Sequence, residues 1–153
     1  MSSAEIFNFI RIDDNTITAG QPTEDQLRAV SSEGYQTVVN LATIDPRYSL
    51  DDEEKSCVSL GMTYVHIPVV WEDPRVEDFE EFKRVMMTLE DQKVLIHCAA
   101  NYRVTAFYAA YAKLFLGWSE EQAANLRDRI WESNPEWQMD DVWSDLIQAI
   151  DKL

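Results

Sequence analysis

Short apolar runs alternating with helix-patterned stretches constrain this chain more than any other feature. Residues 37–41 (Thr-Val-Val-Asn-Leu), 63–70 and 93–96 have the length and composition of buried strands. Between the last two, Phe79, Phe82, Val85, Met86 and Leu89 recur at helical spacing over residues 76–89. Strands buried on both faces need helices on both sides, and this alternation selects parallel crossover connections. The expected fold is α/β: a three-layer sandwich with a mostly parallel central sheet of four to five strands flanked by helices. In such sheets, ligands bind beyond the C-terminal ends of the strands. Cys98, Asp73 and the loop at residues 40–47 would all emerge there.

Local signals mark the other elements. Residues 7–11 and 16–18 flank Asp13-Asp14-Asn15 and read as a hairpin or two edge strands. Thr23 and Gln26 form a capping box that opens a helix running to about Ser32, with Gly34 as its stop. Ser119 and Gln122 form a second, opening a helix to about Trp131. Ser49 is expected to cap a helix over residues 50–60, ended by Gly61. Asp51, Asp52, Glu53 and Glu54 then form a solvated first turn favoured by the helix dipole, with no functional role. Residues 105–116 are apolar nearly all round, which predicts a central buried helix. Asn134-Pro135 opens a last amphipathic segment with Trp137, Val142, Trp143, Leu146, Ile147 and Ile150 on its apolar side.

At 153 residues the chain is most simply one domain. Its formal charge of −15 argues against nucleic acid or an anionic membrane as partner, because both need a positive face. No apolar run approaches the roughly 20 residues that span a bilayer. The start, Met1-Ser2-Ser3-Ala4-Glu5, lacks the basic and apolar regions of a secretory signal, so a cytoplasmic location is expected. Cys57 and Cys98 make no disulfide framework, and Cys57 reads as a small buried apolar residue. No second His or Cys stands at ligand spacing from His97, so neither a metal nor another cofactor is expected. The oligomeric state stays open.

The chemistry concentrates in His97-Cys98-Ala99-Ala100-Asn101-Tyr102-Arg103-Val104-Thr105, directly behind residues 93–96. A strand ends in a cysteine, a tight loop follows, and a helix begins around an arginine. Free N–H groups at a helix N-terminus carry partial positive charge and favour a thiolate. Arg103 supplies a forked cation suited to bidentate contact with phosphate or sulfate oxygens. Nucleophile and oxyanion cradle together permit covalent transfer through a sulfur-linked intermediate. Phosphoryl transfer also needs an acid for the leaving group. Asp73 in Trp71-Glu72-Asp73-Pro74 is the first candidate, and Glu72 its neighbouring competitor.

These residues resemble the cysteine-dependent protein tyrosine and dual-specificity phosphatase superfamily. His97-Cys98-Ala99-Ala100 opens like its signature loop, and residues 64–69 with Glu72-Asp73 resemble the strand leading into its acid loop. Gly117-Trp118-Ser119 resembles the start of a downstream helix. With Gly20-Gln21-Pro22, the chain is most similar to the bacterial beta-lactamase-hydrolase-like phosphatases, from about Thr16 to about Ile130. The resemblance implies a phosphotyrosine-phosphatase-like fold with Cys98 as nucleophile, Arg103 as clamp and Asp73 as acid. It also implies an anion cradle over Ala99, Ala100, Asn101, Tyr102, Arg103 and Val104, for a phosphorylated small molecule or protein.

The loop departs from the superfamily pattern. Four residues separate Cys98 from Arg103 where five are usual, the usual glycine is absent, and Val104 stands where Ser or Thr is usual. Asn101 is the natural stand-in for the glycine, because Asn tolerates the left-handed backbone. Either Arg103 is the clamp in a shortened loop, or length is kept, Thr105 takes the hydroxyl position and Val104 replaces the arginine. The first alignment is preferred, since the bacterial subfamily is similar in having a short loop. Three functions remain open. One is a phosphatase working through a cysteinyl-phosphate. Another is a rhodanese-like sulfurtransferase using a Cys98 persulfide, which suits a short loop but leaves Asp73 idle. The third is a catalytically silent relative that binds phosphate or another anion.

Overall fold

A computed structural model describes residues 2–135 and 139–153. Its elements run β1 (Ile10–Arg11), β2 (Thr16–Ala19), α1 (Glu24–Ser32), β3 (Thr37–Asn40), α2 (Glu53–Ser59) and β4 (Thr63–His66). They continue with α3 (Val76–Thr88), β5 (Val94–His97), α4 (Tyr102–Phe115), α5 (Glu120–Trp131) and α6 (Asp141–Asp151). One five-stranded sheet has the order β1-β2-β5-β3-β4. Strands β1 and β2 pair antiparallel; β5 lies between β2 and β3, parallel to both, and β3 and β4 are parallel too. The expected mostly parallel α/β sandwich is present. Among the described residues, no helix is long and apolar enough to cross a membrane.

The pleat sorts the core into two layers. Val94 and Ile96 of β5 join Phe79, Phe82, Phe107 and Trp143 on the face covered by α3, α4, α5 and α6. Leu95 joins Leu27, Val30 and Cys57 on the face covered by α1 and α2. Because side chains alternate along a strand, the next two residues separate as well. Cys98 continues the first face, and His97 turns toward α2, where it meets Glu53. Helix α4 is buried from Arg103 to Ala112, as its all-round apolar pattern predicts.

Both predicted capping boxes form, at Thr23 and at Ser119. Three helix starts differ from expectation, the last of them at Asp141 rather than after Asn134-Pro135. Helix α2 begins at Glu53 with Asp52 as its cap, because Ser49 is engaged elsewhere: its hydroxyl accepts the Asp45 N–H at 2.9 Å, closing a turn before the helix. Helix α4 begins at Tyr102, three residues early, with Asn101 as N-cap. The last helix is capped by Asp140 and buries Trp143, Leu146 and Ile150; Trp137 lies outside the described residues.

Candidate active site

The C-terminal ends of β3 and β5 open into a cavity of about 470 Å³. Cys98, Ala99, Ala100, Tyr102 and Arg103 line its floor, Thr43, Asp45, Arg47 and Tyr48 one wall, and Trp71 with Glu72 another. Phe7, Asn8, Ser133 and Asn134 complete the lining. Cys98 is 1% exposed and Arg103 6%, so both sit where solvent is largely excluded. Arg103 donates from Nη1 to the Val69 carbonyl at 2.9 Å, which holds the guanidinium under the loop that follows β4. Val104 is fully buried in the core, off the cavity. The structure thus puts Arg103 on the cavity and Val104 in the core.

Asn101 takes the glycine position in conformation as well as in sequence, with φ 71° and ψ 8°. Its side chain is fully buried and does not cap α4. It donates instead to the Asn8 carbonyl at 2.8 Å and to Thr18 Oγ1 at 3.1 Å. Asn8, itself at φ 53°, answers by donating from Nδ2 to the Ala100 carbonyl at 2.9 Å. A pair of left-handed asparagines thus fastens the N-terminal segment to the cysteine loop. The helix start keeps its first-turn N–H groups, which have no intrahelical acceptor, without a side-chain cap. Gly20 permits the remaining contact. A Cβ there would lie 2.6 Å from the Ala99 carbonyl oxygen, the carbonyl that accepts the Gln21 N–H at 3.0 Å.

Beneath the loop lies a buried pair, His97 with Glu53. His97 Nε2 donates to Glu53 Oε2 at 2.5 Å, and Nδ1 faces the Cys98 carbonyl at 3.1 Å. Gln21 Nε2 donates to the other Glu53 oxygen at 2.9 Å. Burial pushes the Glu53 carboxyl up, but the charge and hydrogen bond of His97, with the Gln21 amide, outweigh it and hold the group below its usual range. Glu53 is therefore a buried tie between α2, β5 and the turn after β2, not part of a solvated run. Its place on the Cys57 face, four residues away, was the signal that the charge pattern hid. Burial, with the charges of Glu53 and Glu24, pushes the Cys57 thiol up to about 12, which leaves it unreactive as expected.

The structure separates the two acid candidates. Glu72 lines the cavity. Asp73 does not; its side chain is 66% exposed and paired with Arg75 at 3.0 Å. The loop that carries them is anchored by aromatic packing. Trp71 stacks on Trp131 at 5.5 Å between ring centres and lies 5.4 Å from Trp143. Asp45 and Arg47 form another close pair on the β3 side, and the guanidinium holds the Asp45 carboxyl down at about 2. Sequence reasoning placed the 40–47 loop at the site but missed Phe7, Asn8, Glu53 and the 133–134 turn. Among the described residues no group of His, Cys, Asp and Glu could hold a metal ion.

The cysteine that follows a central parallel strand, with an arginine in the first turn of the next helix, agrees with the resemblance to the cysteine-dependent dual-specificity phosphatase superfamily. The sequence agrees: residues 11–142 match the family described as a DSP-PTPase phosphatase fused to NAD+ kinase, and the chain belongs to that family. A candidate phosphatase of the DUF442 group from Shewanella putrefaciens CN-32 is 30% identical, with 98% of this chain and 95% of that chain covered and a TM-score of 0.84. Two more distant structures share the fold. Tk-PTP in its active form is 23% identical, with coverage of 95% and 97% and a TM-score of 0.71. The core catalytic domain of the PP-IP phosphatase SIW14 from S. cerevisiae is 12% identical, with coverage of 94% and 85% and a TM-score of 0.75. No curated protein matches the sequence.

Proposed function

We propose that this protein hydrolyses a phosphomonoester through a cysteinyl-phosphate on Cys98. The observation that carries the reading is that Cys98 and Arg103 line one cavity at the start of α4. In the first step the Cys98 thiolate attacks phosphorus, the S–P bond forms and the P–O ester bond breaks. The departing oxygen takes a proton from a carboxylic acid of the 71–74 loop. Water then attacks phosphorus and gives its proton to the same carboxylate; the new O–P bond forms as the S–P bond breaks, releasing phosphate and the Cys98 thiolate. Arg103 and the first-turn N–H groups of α4 hold the phosphoryl oxygens throughout. Glu72, on the cavity, takes the acid role that sequence reasoning assigned first to Asp73.

The lining also bears on the substrate. Arg47 is committed to Asp45, with Nε within 3.1 Å of both carboxylate oxygens, and Glu72 adds a further acid. That leaves Arg103 as the cation for phosphate, beside Phe7, Tyr48, Trp71 and Tyr102. A single phosphate on an aromatic or apolar carrier fits such a cavity better than a polyphosphate. The sulfurtransferase reading rests on loop length alone, whereas the matching family is one of phosphatases.

The test is phosphate release from an aryl phosphate, run beside thiocyanate formation from thiosulfate and cyanide. We expect the wild type to release phosphate and Cys98→Ser to release none. Thiocyanate production would instead establish sulfur transfer. Activity in neither assay, with inorganic phosphate still raising the melting temperature, would leave an anion-binding protein.

A further inference from the structure

Two neighbouring carboxylates share one loop, and only one of them reaches the cavity. Whatever fixes the backbone of residues 69–74 therefore decides which acid meets the leaving group. Hydrogen bonds from outside the loop hold that backbone, one of them from the Val69 N–H to the Leu41 carbonyl at 3.0 Å. Arg103 donates to the Val69 carbonyl, and Trp143 Nε1 of α6 donates to the Trp71 carbonyl at 2.9 Å. Trp131 of α5 stacks on the Trp71 ring at an interplanar angle of 18° and donates from its own Nε1 to the Tyr102 carbonyl at 3.0 Å. Trp131 and Trp143 also touch each other, with ring centres 5.7 Å apart.

Each indole N–H thus serves one of the two loops that chemistry must bring together. Trp143 bonds the acid loop, Trp131 bonds the first helical residue after the cysteine loop, and Trp71 packs against both. Neither Trp131 nor Trp143 lines the cavity, so neither touches substrate. We propose that Trp131 and Trp143 are positioning residues for proton transfer: they hold the acid loop with Glu72 on the cavity and Asp73 outside it. The inference rests on the phosphatase reading. It adds that the C-terminal helices set the geometry of the acid, while the nucleophile keeps its own supports.

The test uses an acid's dependence on the leaving group. Phenyl phosphate needs a proton donor for its basic phenolate; 2,4-dinitrophenyl phosphate leaves without one. Trp143→Phe keeps an aromatic ring and removes the N–H. We expect its kcat/KM on phenyl phosphate to fall about tenfold or more, with less than about a twofold change in kcat/KM on the dinitrophenyl ester, because this quantity reports the steps through S–P bond formation and not the hydrolysis common to both esters. Taking the ratio of the two kcat/KM values within one preparation cancels any loss of folded protein. Trp131→Leu, which removes the ring stacked on Trp71, should move the same ratio in the same direction, and serves alone if Trp143→Phe does not fold. An unchanged ratio in the variants, with a Cys98-dependent wild type, overturns the inference and leaves the phosphatase standing. A wild type that hydrolyses neither ester removes both.

Discussion

The two loops that meet in the cavity are supported by opposite kinds of chemistry. The cysteine loop rests on directed polar contacts: Gln21 N–H on Ala99, Asn8 on Ala100, Asn101 on Thr18, and His97 between Glu53 and the Cys98 carbonyl. The acid loop rests mainly on aromatic faces, Trp71 among Tyr102, Trp131 and Trp143. The difference follows from what each must do. A phosphoryl cradle needs backbone donors aimed to within tenths of an ångström, and hydrogen bonds are directional. A proton donor has to approach one oxygen and tolerates a support set by packing. The polar side is consequently the more costly to disturb, since a buried group that loses its partner keeps the full penalty of desolvation.

Glu53 is where that cost should be largest. Glu53→Ala leaves His97 buried without its carboxylate, and removing one member of a buried pair costs on the order of 3–5 kcal/mol. For a chain of this size that corresponds to a melting temperature lower by roughly 10 °C. Glu53→Gln should fall between, because an amide still offers an acceptor to Nε2. The same residue predicts an acid limb of stability. Its carboxyl is held below the ordinary value in the fold, so its contribution is complete above the unfolded value of about 4.3 and is lost as pH falls through the folded one. Urea denaturation between neutral pH and pH 3 should show that limb in the wild type and a flatter one in Glu53→Gln. Equal slopes would mean that the Glu53 carboxyl does not carry that limb.

The acid side offers a sharper contrast between neighbours. Glu72→Gln should lower kcat for phenyl phosphate about a hundredfold, the lower range for a lost general acid. Asp73→Asn removes only an exposed pair with Arg75 and should leave kcat within about twofold. The opposite ranking would show that the loop swings on binding substrate and that Asp73 is the acid.

Which of these features could be read from the sequence depended on how far apart the interacting residues lie. The capping boxes at Thr23 and Ser119, the strand pattern of β5 and the buried face of α4 are local, and each was found. So was the cysteine–arginine spacing, because strand, loop and helix are contiguous. Ser49 misled because its hydroxyl can serve either a helix or a turn, and the turn to Asp45 won. Glu53 misled because four consecutive acids look solvated, although only three of them are exposed. Asn8 carried no local signal at all; its partners are more than ninety residues away.

Asn101 offers the smallest and most diagnostic perturbation of the polar side. Its residue type answers two demands at once, a left-handed backbone at φ 71° and donors to Asn8 and Thr18. Glycine meets the first demand and fails the second; alanine fails both. Asn101→Gly should therefore report mainly the two side-chain bonds, at about 1 kcal/mol net each, with a smaller cost from glycine's freedom in the unfolded chain. Asn101→Ala should cost about 1 kcal/mol more, the strain of an L-residue in the left-handed region. If chemical denaturation finds the two variants equally stable, the loop has left that conformation in Asn101→Ala. In that event phosphate turnover by Asn101→Ala should fall well below that of Asn101→Gly, because the Ala100 and Tyr102 peptides that frame the cradle would have turned.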